Sequence, residues 1–313
     1  MTAAARPSGP AVALTVAGSD SGAGAGLQAD LKTMSALGVL ATTAVTAVTA
    51  QDTVAVHAVH PIPPEVVAAQ LDAVLGDLPV AAVKTGMLAS GSTVETVARY
   101  AAAGRLPRLV VDPVLVASTG RTLLDAAGVE ATRRALLPHA LVATPNLVEA
   151  AVLCDVDPAA PTGVDDLVDL ARLLLGLGPR WVLVTGGHLP GVDPGAGADR
   201  RAGRPVDDPP SRVPDVLCDA TGARVLDGPR VATSNTHGTG CSLSAALCAG
   251  LAVGLSVPDA TERAKRYVAR ALAGAAYWRL GRGRTPLDHA GAAEPPSQPV
   301  RQAPDGPSAQ PPS

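Results

Sequence analysis

The chain has 313 residues, of which 47% are apolar, 17% charged and only 2% aromatic, with a net charge of −3. That length holds one large α/β domain or two small ones, and with no Phe the core has to be built from Val, Leu and Ala. The near-neutral balance and the absence of any dense basic run exclude an electrostatic case for nucleic acid, and no charge-free stretch is long enough to span a membrane.

In chain order, residues 1–10 read as a flexible N-terminus, 11–290 as one domain, and 291–313, rich in Pro, Ala, Gln and Ser, as a tail that cannot bury enough surface to order itself. The first apolar run, Ala11 to Gly18, is short and ends in Ser19-Asp20, unlike the cleavage region of a signal peptide. Six strands are expected at Val12–Ala17, Thr43–Val48, Ala81–Thr85, Leu109–Asp112, Leu141–Thr144 and Trp181–Thr185. Most are continuously apolar, as in parallel strands covered on both faces. Helices are expected near Leu27–Leu37, Pro64–Leu75, Val94–Ala103, Gly128–Leu136, Leu147–Leu153 and Val164–Leu175. Such alternation predicts a doubly wound α/β fold, a mostly parallel central sheet with helices on both faces. Residues 190–214 break the rhythm with Gly, Pro, Asp and Arg and read as a surface-loop insertion; strands at Asp215–Cys218 and Ala223–Leu226 follow. The cysteines at 154, 218, 241 and 248 lack metal or disulfide spacing, so a reducing cytoplasm is expected.

Sheets of this class place their sites at the carboxyl ends of strands. Those ends read Gly18-Ser19-Asp20, Ala50-Gln51-Asp52, Thr85-Gly86-Met87, Asp112-Pro113-Val114, Thr144-Pro145-Asn146 and Thr185-Gly186-Gly187, all polar or glycine-rich. The loop Asn235-Thr236-His237-Gly238-Thr239-Gly240-Cys241-Ser242-Leu243-Ser244 leads into an alanine-rich apolar run. A helix starting near Cys241 would aim unsatisfied amides and its positive dipole end at an anion; the plainer alternative is a turn with an N-cap. At a helix amino terminus the Cys241 thiol is expected to ionise below ~8.5, ready to take a proton from a hydroxyl. Alternatively it is a small buried hydrophobe.

Read together with Ala17-Gly18-Ser19-Asp20-Ser21-Gly22-Ala23-Gly24-Ala25-Gly26-Leu27-Gln28-Ala29-Asp30-Leu31-Lys32, Thr46-Ala47-Val48-Thr49-Ala50-Gln51, Lys84-Thr85-Gly86-Met87-Leu88, Val111-Asp112-Pro113-Val114 and Thr144-Pro145-Asn146-Leu147-Val148-Glu149-Ala150, this loop resembles the signature of the hydroxymethylpyrimidine/phosphomethylpyrimidine kinases, thiamine-pathway members of the ribokinase-like superfamily. The blocks run in register from about Leu14 to His289. The resemblance implies a ribokinase-like fold, ATP with Mg²⁺, and phosphorylation of 4-amino-5-hydroxymethyl-2-methylpyrimidine, then of its monophosphate. A homodimer is compatible with it.

Residue roles follow from the matching positions. Gln51 is implied to bind the aminopyrimidine, its amide offering donor and acceptor; Gly18, Asp20, Asp30 and Met87 complete the substrate side. Asp30 has the plainer reading of a solvated helix residue and Met87 that of a core methionine. Asn146, Thr185 and Gly187 are implied at ATP, and Asp112 and Glu149 at the metal, whose oxygen preference suits carboxylates. Asn146 and Glu149 also fit a capping pair. Gly238, Thr239 and Gly240 are implied to form the anion hole, with Cys241 as base. Many relatives carry Lys where this chain has Ser118 and Thr185, leaving Arg121 or Lys84 as substitute cations. His188 and His237 are open to nucleotide contact or loop support. Two alternatives stand beside the kinase: a pyridoxal-type vitamin kinase, and a weakly catalytic pyrimidine-binding protein of the same fold.

Overall fold

The computed structural model describes residues 9–117, 120–187, 189 and 212–292. Ser118, His188, most of the 190–214 segment and nearly all of both termini assigned above lie outside these residues. Nine strands form one sheet in the order β3-β2-β1-β4-β5-β6-β7-β8-β9. The strands are β1 (Val12–Asp20), β2 (Leu40–Gln51), β3 (Val56–Pro61), β4 (Val80–Thr85), β5 (Val110–Val111), β6 (Val142–Ala143), β7 (Trp181–Thr185), β8 (Arg212–Asp219) and β9 (Gly222–Pro229). From β2 to β7 all neighbours pair parallel; β3, β8 and β9 add antiparallel edges.

The helices are α1 (Gly26–Ala36), α2 (Pro64–Asp77), α3 (Gly91–Ala102), α4 (Ala126–Ala131), α5 (Leu147–Leu153), α6 (Val164–Leu175), α7 (Thr239–Ala252) and α8 (Val257–Gly274). Because side chains alternate across a strand, Val111, Val182 and Val184 join one core with α3, α5 and α6. Val110, Val142 and Leu183 join a second core with α7 and α8 on the other face. Alternation of this kind on both sides explains the continuously apolar strands.

Three elements depart from expectation. The helix expected at 128–136 ends at Ala131 and opens into a wider π turn over Thr132–Leu136, followed by a 3₁₀ turn at Leu137–His139. Pro138 cannot continue a helix, since it lacks an N–H and its ring crowds the preceding turn. Strand β3 was not anticipated; its mostly exposed Val-His-Ala-Val-His-Pro run fits an edge strand closed by proline. Helix α8 was not anticipated either, although Ser256 caps Asp259 and Val257, Ala260, Ala264, Tyr267 and Ala271 form a buried stripe at helical spacing.

Candidate active site

The parallel strands end on one rim. Asp20, Gln51, Met87, Asp112, Asn146 and Thr185, each at or just beyond such an end, line a single cavity of about 1090 Å³. Gly18, Gly187, Glu149 and the segment from Thr236 to Cys241 complete its wall. The sheet order puts β1 between β2 and β4, so the chain leaves β1 in opposite directions and a crevice opens there.

Helix α7 begins at Thr239, two residues earlier than expected, with Gly238 as its N-cap at φ 84°. A side chain at Gly238 would be strained at that φ and would place a Cβ 1.8 Å from the Gly24 carbonyl oxygen. Gly240 differs: it is helical, and a Cβ there meets nothing within 4 Å. Neither φ nor crowding therefore requires glycine at Gly240. The Thr239 amide donates to Thr236 O at 3.2 Å and that of Ser242 to Gly238 O at 2.9 Å. Between them, Gly240 and Cys241 occupy first-turn positions whose amides have no acceptor within the helix.

Cys241 sits as expected in the cavity wall, but its ionisation does not follow expectation. Burial pushes the thiol up to about 12, against the lowering charge of Lys84 and with Asp112 and Asp30 adding to the rise. Desolvation of the thiolate outweighs the helix-terminus effect.

Beneath the rim lies a buried charge cluster. Lys84 Nζ donates to Asp30 Oδ1 at 2.6 Å and stands 3.7 Å from Asp112 Oδ2. Thr15 donates to the other Asp30 oxygen at 2.6 Å. Asp30 is thus neither a solvated helix residue nor a substrate contact: it is fully buried and does not line the cavity. Burial alone would discharge Lys84, but Asp30, Cys241 and Asp112 hold its ammonium above the usual range. Burial raises Asp112 although Lys84 and a 2.8 Å hydrogen bond from Ser244 act the other way. Glu149 is raised to about 8 by burial and by the Asp112 charge.

Asn146 and Glu149 form the capping pair of α5. Asn146 Oδ1 accepts from the Glu149 amide and Glu149 Oε2 from the Asn146 amide, both at 3.0 Å. The Leu115 amide donates to Glu149 Oε1 at 3.4 Å. Capping and cavity lining coexist in the same two residues.

The other end of the cavity is organised by Asp20. Its oxygens accept from the amides of Gly22 (2.8 Å), Gly24 (3.0 Å) and Ala25 (2.9 Å), and from His237 Nε2 (3.0 Å). Against the opposing effect of burial, these donors hold its carboxyl below the ordinary range. A carboxylate so occupied shapes the loop expected on the substrate side, and it also lines the cavity. Ser21 clamps the Gln51 backbone, accepting from its amide and donating to its carbonyl, both at 2.8 Å. Met87 lines the cavity and its carbonyl accepts from Thr46 at 2.6 Å.

Neither substitute cation reaches the cavity as imagined. Arg121 donates to the Val56 carbonyl at 2.7 Å, bracing β3, and Lys84 is sealed among carboxylates. A cation that the sequence did not single out is Arg230, which lines the cavity and buries an Nη1 with no hydrogen-bond partner among the described residues. The Thr144 hydroxyl is in the same position. Nothing in the local sequence marks either. Among the described residues no cluster of three metal-ligating side chains occurs.

The mostly parallel sheet, with a glycine-capped helix and carboxylates on one rim, is a ribokinase-like fold. The chain matches the phosphomethylpyrimidine kinase family over residues 20–288. It is 45% identical over 292 residues to the hydroxymethylpyrimidine/phosphomethylpyrimidine kinase of Streptomyces coelicolor, covering 92% of this chain and 98% of that protein. The Escherichia coli enzyme of that name is 41% identical, with 88% and 96% covered. Among solved structures, the Bacillus subtilis pyridoxal kinase in complex with ADP superposes with a TM-score of 0.76 at 34% identity, covering 90% of this chain and 98% of that one. Clostridium difficile phosphomethylpyrimidine kinase gives 0.68 at 33% identity, covering 83% and 99%. The chain belongs to the phosphomethylpyrimidine kinase family.

Proposed function

We propose that this chain transfers the terminal phosphoryl group of ATP to the hydroxymethyl arm of 4-amino-5-hydroxymethyl-2-methylpyrimidine, and then to the resulting monophosphate. One observation carries the proposal: Gly240 and Cys241, whose first-turn amides have no acceptor within the helix, line the same cavity as Gln51 and as Asp112 with Glu149. That gives one place for the ring, one for the migrating group and one for the triphosphate. Phosphoryl transfer asks for positioning and charge stabilisation more than covalent chemistry.

In this scheme Gln51, Met87 and Gly18 hold the ring, while the amides of α7 take up charge that develops on the transferring oxygens. Asn146, Thr185 and Gly187 face the nucleotide, and Arg230 and the Thr144 hydroxyl supply donors that have no partner among the described residues. Asp112 and Glu149 fit a hard divalent cation, since burial raises both, the Asp112 charge adds to the rise of Glu149, and they offer only oxygen donors. Mg²⁺ bound there would neutralise charge on the triphosphate. Cys241 lines the cavity next to Gly240 and takes the acceptor proton late, through the small thiolate fraction that a thiol near 12 allows.

A second reading, phosphorylation of pyridoxal, is favoured by likeness to the Staphylococcus aureus pyridoxal kinase in complex with AMP-PCP and pyridoxal, at 31% identity and a TM-score of 0.76, covering 90% of this chain and 94% of that one. ADP release measured with each substrate separates the two. The proposal expects the pyrimidine to turn over faster; a large advantage for pyridoxal would replace it. A homodimer is proposed from the family resemblance, and a reducing cytoplasm from the unpaired cysteine spacing. Among the described residues no helix is long and apolar enough to cross a membrane.

A further inference from the structure

His237 precedes the phosphate loop yet its side chain points to the substrate end. Nε2 lies 3.0 Å from Asp20 Oδ2 and 3.2 Å from the Gln51 side-chain nitrogen. The imidazole is pressed against the glycine loop: a Cβ on Gly24 would fall 2.2 Å from its Cδ2. Behind it, the backbone pairs with Pro286 in a short parallel bridge. One side chain therefore joins the substrate loop, the phosphate loop and Gln51.

The two contacts at Nε2 impose a chemical order. Asp20 is ionised and can only accept, so Nε2 carries hydrogen in either charge state of the ring. A nitrogen that donates to Asp20 has no lone pair for an amide NH₂. The Gln51 group beside it must then be the carboxamide oxygen, which shares the single Nε2 hydrogen with Asp20 in a three-centre bond. The far end of the amide gives the same answer independently. Thr49 Oγ1 donates to the Ser19 carbonyl at 3.0 Å and lies 3.5 Å from the other Gln51 amide atom. A hydroxyl with its hydrogen already engaged calls for a donor, which is the NH₂. Amide oxygen and nitrogen are assigned from such networks, and here both neighbours require the same orientation.

We propose that His237 is a positioning residue that sets substrate specificity by locking the Gln51 carboxamide with its oxygen toward His237 and its NH₂ toward Thr49. The inference deepens, and rests on, the kinase reading above. The locked amide has one lone pair and one hydrogen left for a ligand, in fixed order. A 4-aminopyrimidine edge, an amino donor next to a ring-nitrogen acceptor, matches when the amino group faces His237. The pyridoxal ring has no such adjacent pair: its hydroxyl and ring nitrogen are separated by a methyl-bearing carbon. An amide free to rotate would lose this discrimination.

The test compares kcat/KM for the aminopyrimidine and for pyridoxal in wild type, His237→Leu and His237→Gln. Losing the orienting hydrogen bond removes about 1–3 kcal/mol, or roughly 10–100-fold. His237→Leu should lower the pyrimidine-to-pyridoxal ratio by that factor, chiefly through the pyrimidine KM. His237→Gln, whose NH₂ replaces Nε2–H, should restore the ratio to within about threefold on the same scale. A ratio unchanged in His237→Leu, with both substrates falling together, would reduce His237 to a structural support and overturn the proposal, as would failure of Gln to rescue. If wild type phosphorylates neither ring, the kinase reading falls. Long-range ¹H–¹⁵N correlation of the six histidines, with His237 assigned from the Gln variant, then tests the lock without turnover: hydrogen on Nε2 meets its requirement, and a bare Nε2 refutes it.

Discussion

The two ends of the cavity use carboxylates in opposite ways. At the substrate end Asp20 accepts from three amides and His237, and its pKa is held down. At the proposed nucleotide end burial raises both Asp112 and Glu149, the latter to about 8 with the Asp112 charge adding to the rise, and the donors around them do not compensate. A fully bonded carboxylate is a loop organiser; a raised pair is a site that binding of a cation would relieve. The contrast divides the rim into a preformed half and a half completed by ligand.

If that division holds, variants should separate transfer, stability and binding. The largest effect is expected for Cys241→Ala, with phosphoryl transfer falling by about 10²–10⁴ while calorimetry finds pyrimidine affinity unchanged. In wild type, a thiol near 12 predicts a rate that keeps climbing with pH instead of levelling near the ~8.5 of a free cysteine. Unchanged turnover in the variant would return Cys241 to packing.

Next comes Lys84→Met. Removing one member of a fully buried ion pair costs about 3–5 kcal/mol, so urea unfolding should shift strongly; an unmoved midpoint would mean that Asp30 finds other support. Gln51→Ala sharpens the opposite half. It should weaken pyrimidine binding about 10–100-fold with a smaller change in kcat, and a pure kcat loss would move Gln51 into the transfer machinery.

The smallest effect concerns acid stability. The folded pKa of Asp20 lies below its ordinary value of 3.8, so its ionised form stabilises the fold above that value, and the contribution is lost as pH falls through the folded one. Asp20→Asn should lower stability at neutral pH by about 1 kcal/mol and flatten the decline below 3.8. Parallel melting profiles for the two proteins would show that the carboxylate charge is not what holds the loop.

Much of this frame is legible without coordinates because it is local. The apolar runs that become β1, β4 and β7, the polar strand ends and the glycine-spaced entry to α7 all lie in contiguous residues. What escapes reading depends on distance along the chain. Asp30 and Lys84 are 54 residues apart, and only the fold shows that they neutralise one another. His237 and Asp20 are separated by 217 residues. For Cys241 the helix-terminus argument has the right sign for its own effect, but desolvation is a property of the packed rim and it dominates. Arg230 carries no local mark, since an unused guanidinium nitrogen is recognised only by what surrounds it. Helix α8 is a different case: its cap and stripe are local and present in the sequence.

The most direct test is mass spectrometry of the aminopyrimidine after incubation with this protein, ATP and Mg²⁺. The account predicts that the substrate disappears into its monophosphate and then its diphosphate, with ADP formed in step. Unaltered pyrimidine alongside tight binding would contradict it and leave the protein a pyrimidine binder with a kinase fold.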